Sequence, residues 1–175
     1  TLAMGGTVVL LEKFSATKFW DQIVKHECTF MSIVPMMLRT LLAQPETGRE
    51  KAHHIRCSLY ALPTSKKEWD DFVNRYDVKL LDGYGLSETF GICIANPLLH
   101  GQQKRHCIGL PVLGREIRIV DEDDQDVTRG EVGSIVVKGE PMFSGYYKNP
   151  EATDACLKDG WFHTGDNGYM DEDGY

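Results

Sequence analysis

Among the 175 residues there is no Cys-x-x-Cys pair, no apolar run of membrane-spanning length and no excess of positive charge. Each absence narrows the function. The five cysteines (Cys28, Cys57, Cys93, Cys107 and Cys156) are odd in number and widely spaced. That fits the reduced thiols of a cytoplasmic protein better than a disulfide framework. His53, His54 and Cys57, and separately His106 and Cys107, are near in sequence, but no four ligands stand at zinc-finger spacing. A formal net charge of -7 argues against a partner made of nucleic-acid backbone. The start, Thr1-Leu2-Ala3-Met4, has no basic leader layout, so neither a transmembrane segment nor a secretory address is expected.

Two phosphate-binding fingerprints are missing as well. A G-x-G-x-x-G loop would need glycine where Glu88 stands, and G-x-x-x-x-G-K-[ST] occurs nowhere. The acidic stretch Asp121 to Asp126 (DEDDQD) lacks the glycine and distal glutamate of an EF-hand loop, and reads as a solvated hairpin tip.

What remains is an alternation of strand and helix. Thr7 to Leu11 is a β-branched apolar run, as in a strand buried on both faces. Ser15 is the expected cap of the following helix, with Phe14 and Phe19 at the positions of a hydrophobic staple. Thr29 to Val34 predicts a second strand, stopped by Pro35, which suits the first turn of a helix. Met37, Leu38, Leu41 and Leu42 form that helix's apolar face. Ile55 to Leu62 predicts a third strand. Ser65 and Glu68 spell a capping box, and Trp69, Phe72, Val73 and Tyr76 recur at helical spacing. Val78 to Leu81 is the fourth strand. The order calls for a parallel sheet with crossover helices, built of β-α-β units.

Beyond Asn96 helical periodicity fades. Ile117 and Ile119 alternate with Glu116 and Arg118, and Gly133 to Lys138 follows the acidic turn, as in an antiparallel hairpin. The expectation is an α/β subdomain over residues 1–100, then a small β-rich subdomain, a distorted barrel, over 101–175. A polar linker at 97–107 would join them. The ending Asp171-Glu172-Asp173-Gly174-Tyr175 reads as a turn leading into a further strand, so the chain is expected to be a piece of a longer protein.

The densest chemistry is Leu81 to Gly91. Ligands of open parallel sheets sit outside the carboxyl ends of the strands, and Leu81-Asp82 is such an end. Gly83 and Gly85 lack Cβ atoms, so a ligand can lie against the main chain. Tyr84 offers a flat apolar face with a polar tip. Ser87 can hydrogen-bond an oxygen, and Glu88 can hold a hard cation such as Mg²⁺. A glycine-softened turn with a capping Ser87 is the plainer reading of the same residues. A second cluster, Trp161 to Asp166, presents a carboxylate after a Gly turn, and a carboxylate can accept both hydroxyls of a ribose.

Three stretches in order resemble signatures of the adenylate-forming superfamily of acyl-CoA synthetases, luciferases and peptide-synthetase activating domains. They are YGLSE (84–88), GEVGSIVVKGEPMFSGYYKNPEAT (130–153) and GWFHTGD (160–166). The stretch 12–45 is most similar to the carnitine/crotonobetaine-CoA ligase branch, with medium-chain acyl-CoA ligases as competitors. The resemblance implies a two-step reaction. A carboxylic acid and ATP give an acyl-adenylate and pyrophosphate, and CoA then displaces AMP.

By the same resemblance Tyr84 stacks on adenine, with Asp82 and Gly83 lining the same edge and Gly85 counted among the nucleotide-binding residues. Ser87 touches a phosphate or the new acyl oxygen, Glu88 binds Mg²⁺ and Asp166 holds the ribose. Where relatives carry a Gly-Gly-Ala-Pro-like stretch, this chain has Cys57 to Pro63, which implies lost adenine-edge contacts or a different backbone path. The phosphate loop and the domain bearing the catalytic lysine would belong to missing N- and C-terminal parts, so the isolated piece is expected to be inactive. An amino-acid-activating domain and a non-catalytic nucleotide-binding module are the alternatives.

Overall fold

The computed structural model describes residues 5–62, 64–97, 104 and 107–175. Its contacts divide the chain into two compact units, Thr1–Leu81 and Asp82–Tyr175. Most of the stretch read as a linker, together with Pro63 and His106, lies outside the described residues.

In the first unit, helices α1 (Phe19–Lys25), α2 (Pro35–Leu42) and α3 (Lys66–Tyr76) alternate with strands β1 (Phe30–Ile33) and β2 (Cys57–Tyr60). The two strands pair in parallel, from Phe30 opposite Cys57 to Ile33 opposite Tyr60. Pro35 opens α2 at its first turn, where its missing N–H has no helical partner to lose. The capping box of α3 forms as the spacing predicts. Ser65 accepts from the Glu68 N–H and the Glu68 carboxylate accepts from the Ser65 N–H. Glu68 also receives Arg39 Nε at 2.6 Å, and this partner, followed by the cap, holds its carboxyl well below the usual range. Phe72 and Tyr76 of α3 join Ile33, Leu38, Leu41 and Tyr60 in the core.

Two expectations in this unit are corrected. Thr7 to Leu11 is not a strand: Val8, Val9, Leu10 and Leu11 are exposed, Leu10 by 90%. An apolar run becomes a strand only when a neighbour accepts its ladder and another layer covers it, and this run pairs with no described strand. Ser15 does not cap α1, whose first residue follows Lys18 without a side-chain cap. Ser15 instead begins a turn in which its carbonyl accepts from Lys18 N at 3.1 Å. The staple survives, with Phe14 and Phe19 edge to face at 5.8 Å.

His53 is tied to the fold by both ring nitrogens. Nδ1 accepts from Ile55 N at 3.1 Å, so Nε2 donates to the Tyr76 carbonyl at 2.9 Å, and the ring stacks on Trp20. Leu62, just beyond β2, adopts φ +79°, unusual for a branched side chain.

Strand β3 (Lys79–Leu86) leads from the first unit into the second, which holds β4 (Gly91–Ala95), β5 (Leu110–Pro111), β6 (Glu116–Val120), β7 (Gly133–Lys138), α4 (Pro150–Cys156), β8 (Leu157–Lys158) and β9 (Trp161–Gly168). The end of β3 pairs antiparallel with β4, and β4 with β5. A second antiparallel sheet runs in the order β6-β7-β9-β8. Its hairpin β6–β7 is the one predicted. The acidic tip is closed locally, with one Asp121 carboxylate oxygen accepting from both Asp123 N and Gln125 N at 2.9 Å. Cys93, Ile94, Ile119, Ile135 and Val137 form the core of this unit. All five cysteines are free thiols, and no described helix is long and apolar enough to cross a membrane.

Candidate functional site

The stretch read as a loop after a strand end is itself strand. β3 continues five residues beyond Leu81, through Gly83, Tyr84 and Gly85 to Leu86. The correction has a steric cause. A Cβ on Gly85 would lie 2.0 Å from the Gly91 carbonyl oxygen of β4, far inside any contact distance. Glycine at 85 therefore admits the backbone of a neighbouring strand rather than a ligand. Opposite this point β4 carries one extra residue: Tyr84 pairs with Ile94 and Gly85 with Ile92, leaving Cys93 over. Bulges of this kind re-aim side chains and recur beside active sites.

A larger irregularity sits in β9. His163 pairs with Val136 and Asn167 with Ser134, so Thr164, Gly165 and Asp166 all stand opposite the single residue Ile135. The Thr164 hydroxyl donates to the Ile135 carbonyl at 2.9 Å and accepts from Asp166 N at 3.1 Å. That clasp ties down the extruded segment. Asp166 leaves the ladder and receives the Tyr84 hydroxyl at 2.5 Å on Oδ2. The phenol is pushed well up from its ordinary value, first by burial and then by this carboxylate.

After β3 a 3-10 turn spans Ser87–Thr89. Thr89, fully buried, holds it: its hydroxyl accepts from Leu86 N at 3.0 Å and donates to the Gly91 carbonyl at 2.7 Å. The plainer reading of Ser87 as a cap is thus not realised. Ser87 is exposed, and its hydroxyl has no hydrogen bond among the described residues. Glu88 is half-buried. Its main-chain carbonyl accepts from Phe143 N at 2.8 Å, and Oε1 accepts from the Tyr146 hydroxyl at 2.9 Å. Oε2 carries no hydrogen bond among the described residues.

Asp82 is half-buried, and burial pushes its carboxyl up to about 6. Its main-chain carbonyl accepts from Asn96 N at 2.9 Å.

Tyr84, Ser87, Glu88 and Asp166 therefore share one unit, with Tyr84 and Asp166 in contact and Ser87 and Glu88 on the turn that closes β3. Thr89, Arg115 and Tyr146 were not singled out from the sequence. Arg115 donates to the Thr89, Gly139 and Pro141 carbonyls at 2.6, 2.7 and 2.5 Å. Tyr146 lies inside the second signature stretch, which was the only signal available for it.

The site offers one carboxylate oxygen free for a cation, one unengaged hydroxyl beside it, and an aromatic ring joined to a second carboxylate. Among the described residues no group of three or more metal-ligating side chains converges. Mg²⁺ does not need one, because it is commonly held by one or two carboxylates together with substrate phosphates and water. The open Oε2 of Glu88 fits that arrangement.

The second unit thus carries a strand-borne aromatic, an unengaged hydroxyl and two carboxylates, one on the turn after β3 and one in the irregular segment of β9. The chain belongs to the AMP-binding enzyme family, which it matches over residues 1–147. It is 44% identical to the crotonobetaine/carnitine–CoA ligase of Salmonella typhimurium over 177 aligned residues, 98% of this chain and 34% of that protein. The ligase of the same description from Proteus mirabilis is also 44% identical, over 99% of this chain and 34% of its own length. Among solved structures, O-succinylbenzoate coenzyme A synthetase from Bacillus subtilis in complex with ATP and magnesium ion superposes with a TM-score of 0.82 at 31% identity, covering 97% of this chain and 35% of that one. An anthranilate CoA ligase in complex with anthranoyl-AMP superposes at 0.81 and 26% identity, over 91% of this chain and 31% of its own. The chain thus spans about a third of the length of the relatives it matches.

Proposed function

We propose that this chain is the central segment of an ATP-dependent acyl-CoA ligase. In the complete protein a carboxylate oxygen of the acid attacks the α-phosphorus of ATP. Acyl-adenylate forms and pyrophosphate leaves. The CoA thiol then attacks the acyl carbon, forming the thioester and releasing AMP. The observation that carries the reading is the meeting of two distant signature stretches at the Tyr84–Asp166 hydrogen bond.

Each residue takes one part. Tyr84 presents its ring to adenine from β3, with Asp82, Gly83 and Gly85 forming the strand that carries it. Asp166 accepts the ribose hydroxyls. Ser87 donates its free hydroxyl to a phosphate or to the new acyl oxygen. Glu88 holds Mg²⁺ through its open oxygen. The bound ion supplies charge neutralisation at the phosphates, which in such chemistry carries much of the catalysis together with positioning.

The 44% identity to crotonobetaine/carnitine–CoA ligases favours a short, polar or cationic acid as substrate over a fatty acid. The five free thiols fit a cytoplasmic enzyme. The missing N- and C-terminal parts of the same polypeptide are its first partners, and this segment alone is expected to make no acyl-CoA.

The test is pyrophosphate release by the full-length protein against crotonobetaine, carnitine, medium-chain fatty acids and amino acids. Release with carnitine-like acids that depends on CoA for turnover supports the proposal. Release only with amino acids would favour an activating domain of a peptide synthetase. In the same assay Glu88→Gln should weaken Mg²⁺-dependent adenylation about tenfold or more; an unchanged metal requirement removes the role given to Glu88.

A further inference from the structure

A carboxylate that holds Mg²⁺, the part proposed for Glu88, must meet the ion in one geometry. A glutamate side chain has three rotatable bonds, and a turn at the end of a strand does not by itself fix them. Another group has to hold it.

The stretch from Phe143 to Thr153 grips Glu88 at both ends. Phe143 N donates to its main-chain carbonyl at 2.8 Å, and the Tyr146 hydroxyl donates to Oε1 at 2.9 Å. Tyr146 is itself fixed by a chain of local bonds. Its N–H donates to the Thr153 hydroxyl at 2.9 Å, Thr153 donates to the Asn149 carbonyl at 3.0 Å, and Asn149 N returns to the Tyr146 carbonyl at 3.1 Å. The Asn149 side chain caps α4 through Ala152 N. The Phe143 ring packs edge-on against Tyr146 at 5.1 Å and against Phe162 at 5.4 Å.

Gly145 makes this approach possible. It sits at φ +136°, and a Cβ there would come within 2.7 Å of the Thr153 side chain. Arg115 adds a third tie, since one guanidinium reaches the carbonyls of Thr89, next to Glu88, and of Gly139 and Pro141, just ahead of Phe143.

We propose that Tyr146 is a positioning residue for Glu88: its hydroxyl holds Oε1 and leaves Oε2 set for the cation. The inference rests on the metal-holding role given to Glu88 above. A neutral O–H donor suits this task. It satisfies one oxygen of an ionised carboxylate without bringing a positive charge that would repel the metal. Holding the side chain in advance also removes part of the ordering that metal binding would otherwise require. Tyr146 remains 40% exposed, so its hydroxyl is not demanded by the core.

The experiment uses the full-length protein with Tyr146→Phe, Glu88→Gln and the double variant. Mn²⁺ binding in the presence of ATP is followed by electron paramagnetic resonance without acid substrate, alongside Tm. For Tyr146→Phe the dissociation constant of Mn²⁺ should rise about tenfold with Tm unchanged, and the double variant should be no weaker than Glu88→Gln alone. Normal Mn²⁺ affinity in Tyr146→Phe beside weakened affinity in Glu88→Gln would overturn the positioning role and leave Glu88 as the metal residue. A fall in Tm with metal affinity intact would make Tyr146 a packing residue only. Unaltered affinity in Glu88→Gln would overturn the reading of Glu88 and this inference with it.

Discussion

The Tyr84 hydroxyl donates to the Asp166 carboxylate at 2.5 Å, across 82 residues of chain. Neither residue reaches the other from a regular ladder. Tyr84 sits where β4 carries an extra residue, and Asp166 belongs to three residues of β9 that face one residue of β7. Two bulges therefore cooperate to bring one ring and one carboxylate together. The hydrogen bond also gives the Asp166 carboxylate a fixed partner.

If Asp166 accepts the ribose hydroxyls, Asp166→Ala in the full-length protein should raise the KM for ATP about tenfold. That corresponds to roughly 1.4 kcal/mol, the scale of a hydrogen bond to a charged group. Steady-state kinetics with ATP as the varied substrate measure it. An unaltered KM would remove that role.

Asp82 yields a pH dependence. Its carboxyl, ordinarily near 3.8, is pushed up to about 6 by burial. A carboxyl raised in the folded state contributes stability below its unfolded value, and that contribution is lost as pH rises through the folded value. Asp82→Asn, neutral throughout, should therefore have the higher Tm at pH 7.5. The advantage should shrink as pH falls through 6 towards 4.5. Parallel unfolding curves at every pH would show that Asp82 is not held in this state.

Gly85→Ala tests the close approach of β3 and β4. With 2.0 Å between the new Cβ and the Gly91 carbonyl oxygen, the strands must separate. The cost should be about 3 kcal/mol or more, seen as a depressed Tm or loss of soluble protein. A Tm within about a degree of the parent would mean that the strands do not meet as described.

Helices α1 to α3 were legible because their signals are local, whereas α4 (Pro150–Cys156) was not read from the sequence, which led to the expectation of a β-rich second half without a helix. Ser65 and Glu68 lie three residues apart and close on each other. Pro35 acts through its own ring, and the apolar face of α3 needs only helical periodicity. The β6–β7 hairpin was legible for the same reason. Thr7 to Leu11 misled because an apolar β-branched run states a preference, while a strand also needs a partner. Gly83-Tyr84-Gly85 misled in the opposite direction. Two glycines read as a turn, yet one of them is there to let β4 pass.

The sequence by itself determined the three signature stretches, their order and the kinds of group they carry: an aromatic, a hydroxyl and two carboxylates. Only the tertiary structure decided that Tyr84 touches Asp166 and that Tyr146 holds Glu88. Those pairings depend on strand register and on where a ladder bulges, which is settled by the fit of one strand's backbone against another's. Residues near each other in the chain cannot encode that fit alone.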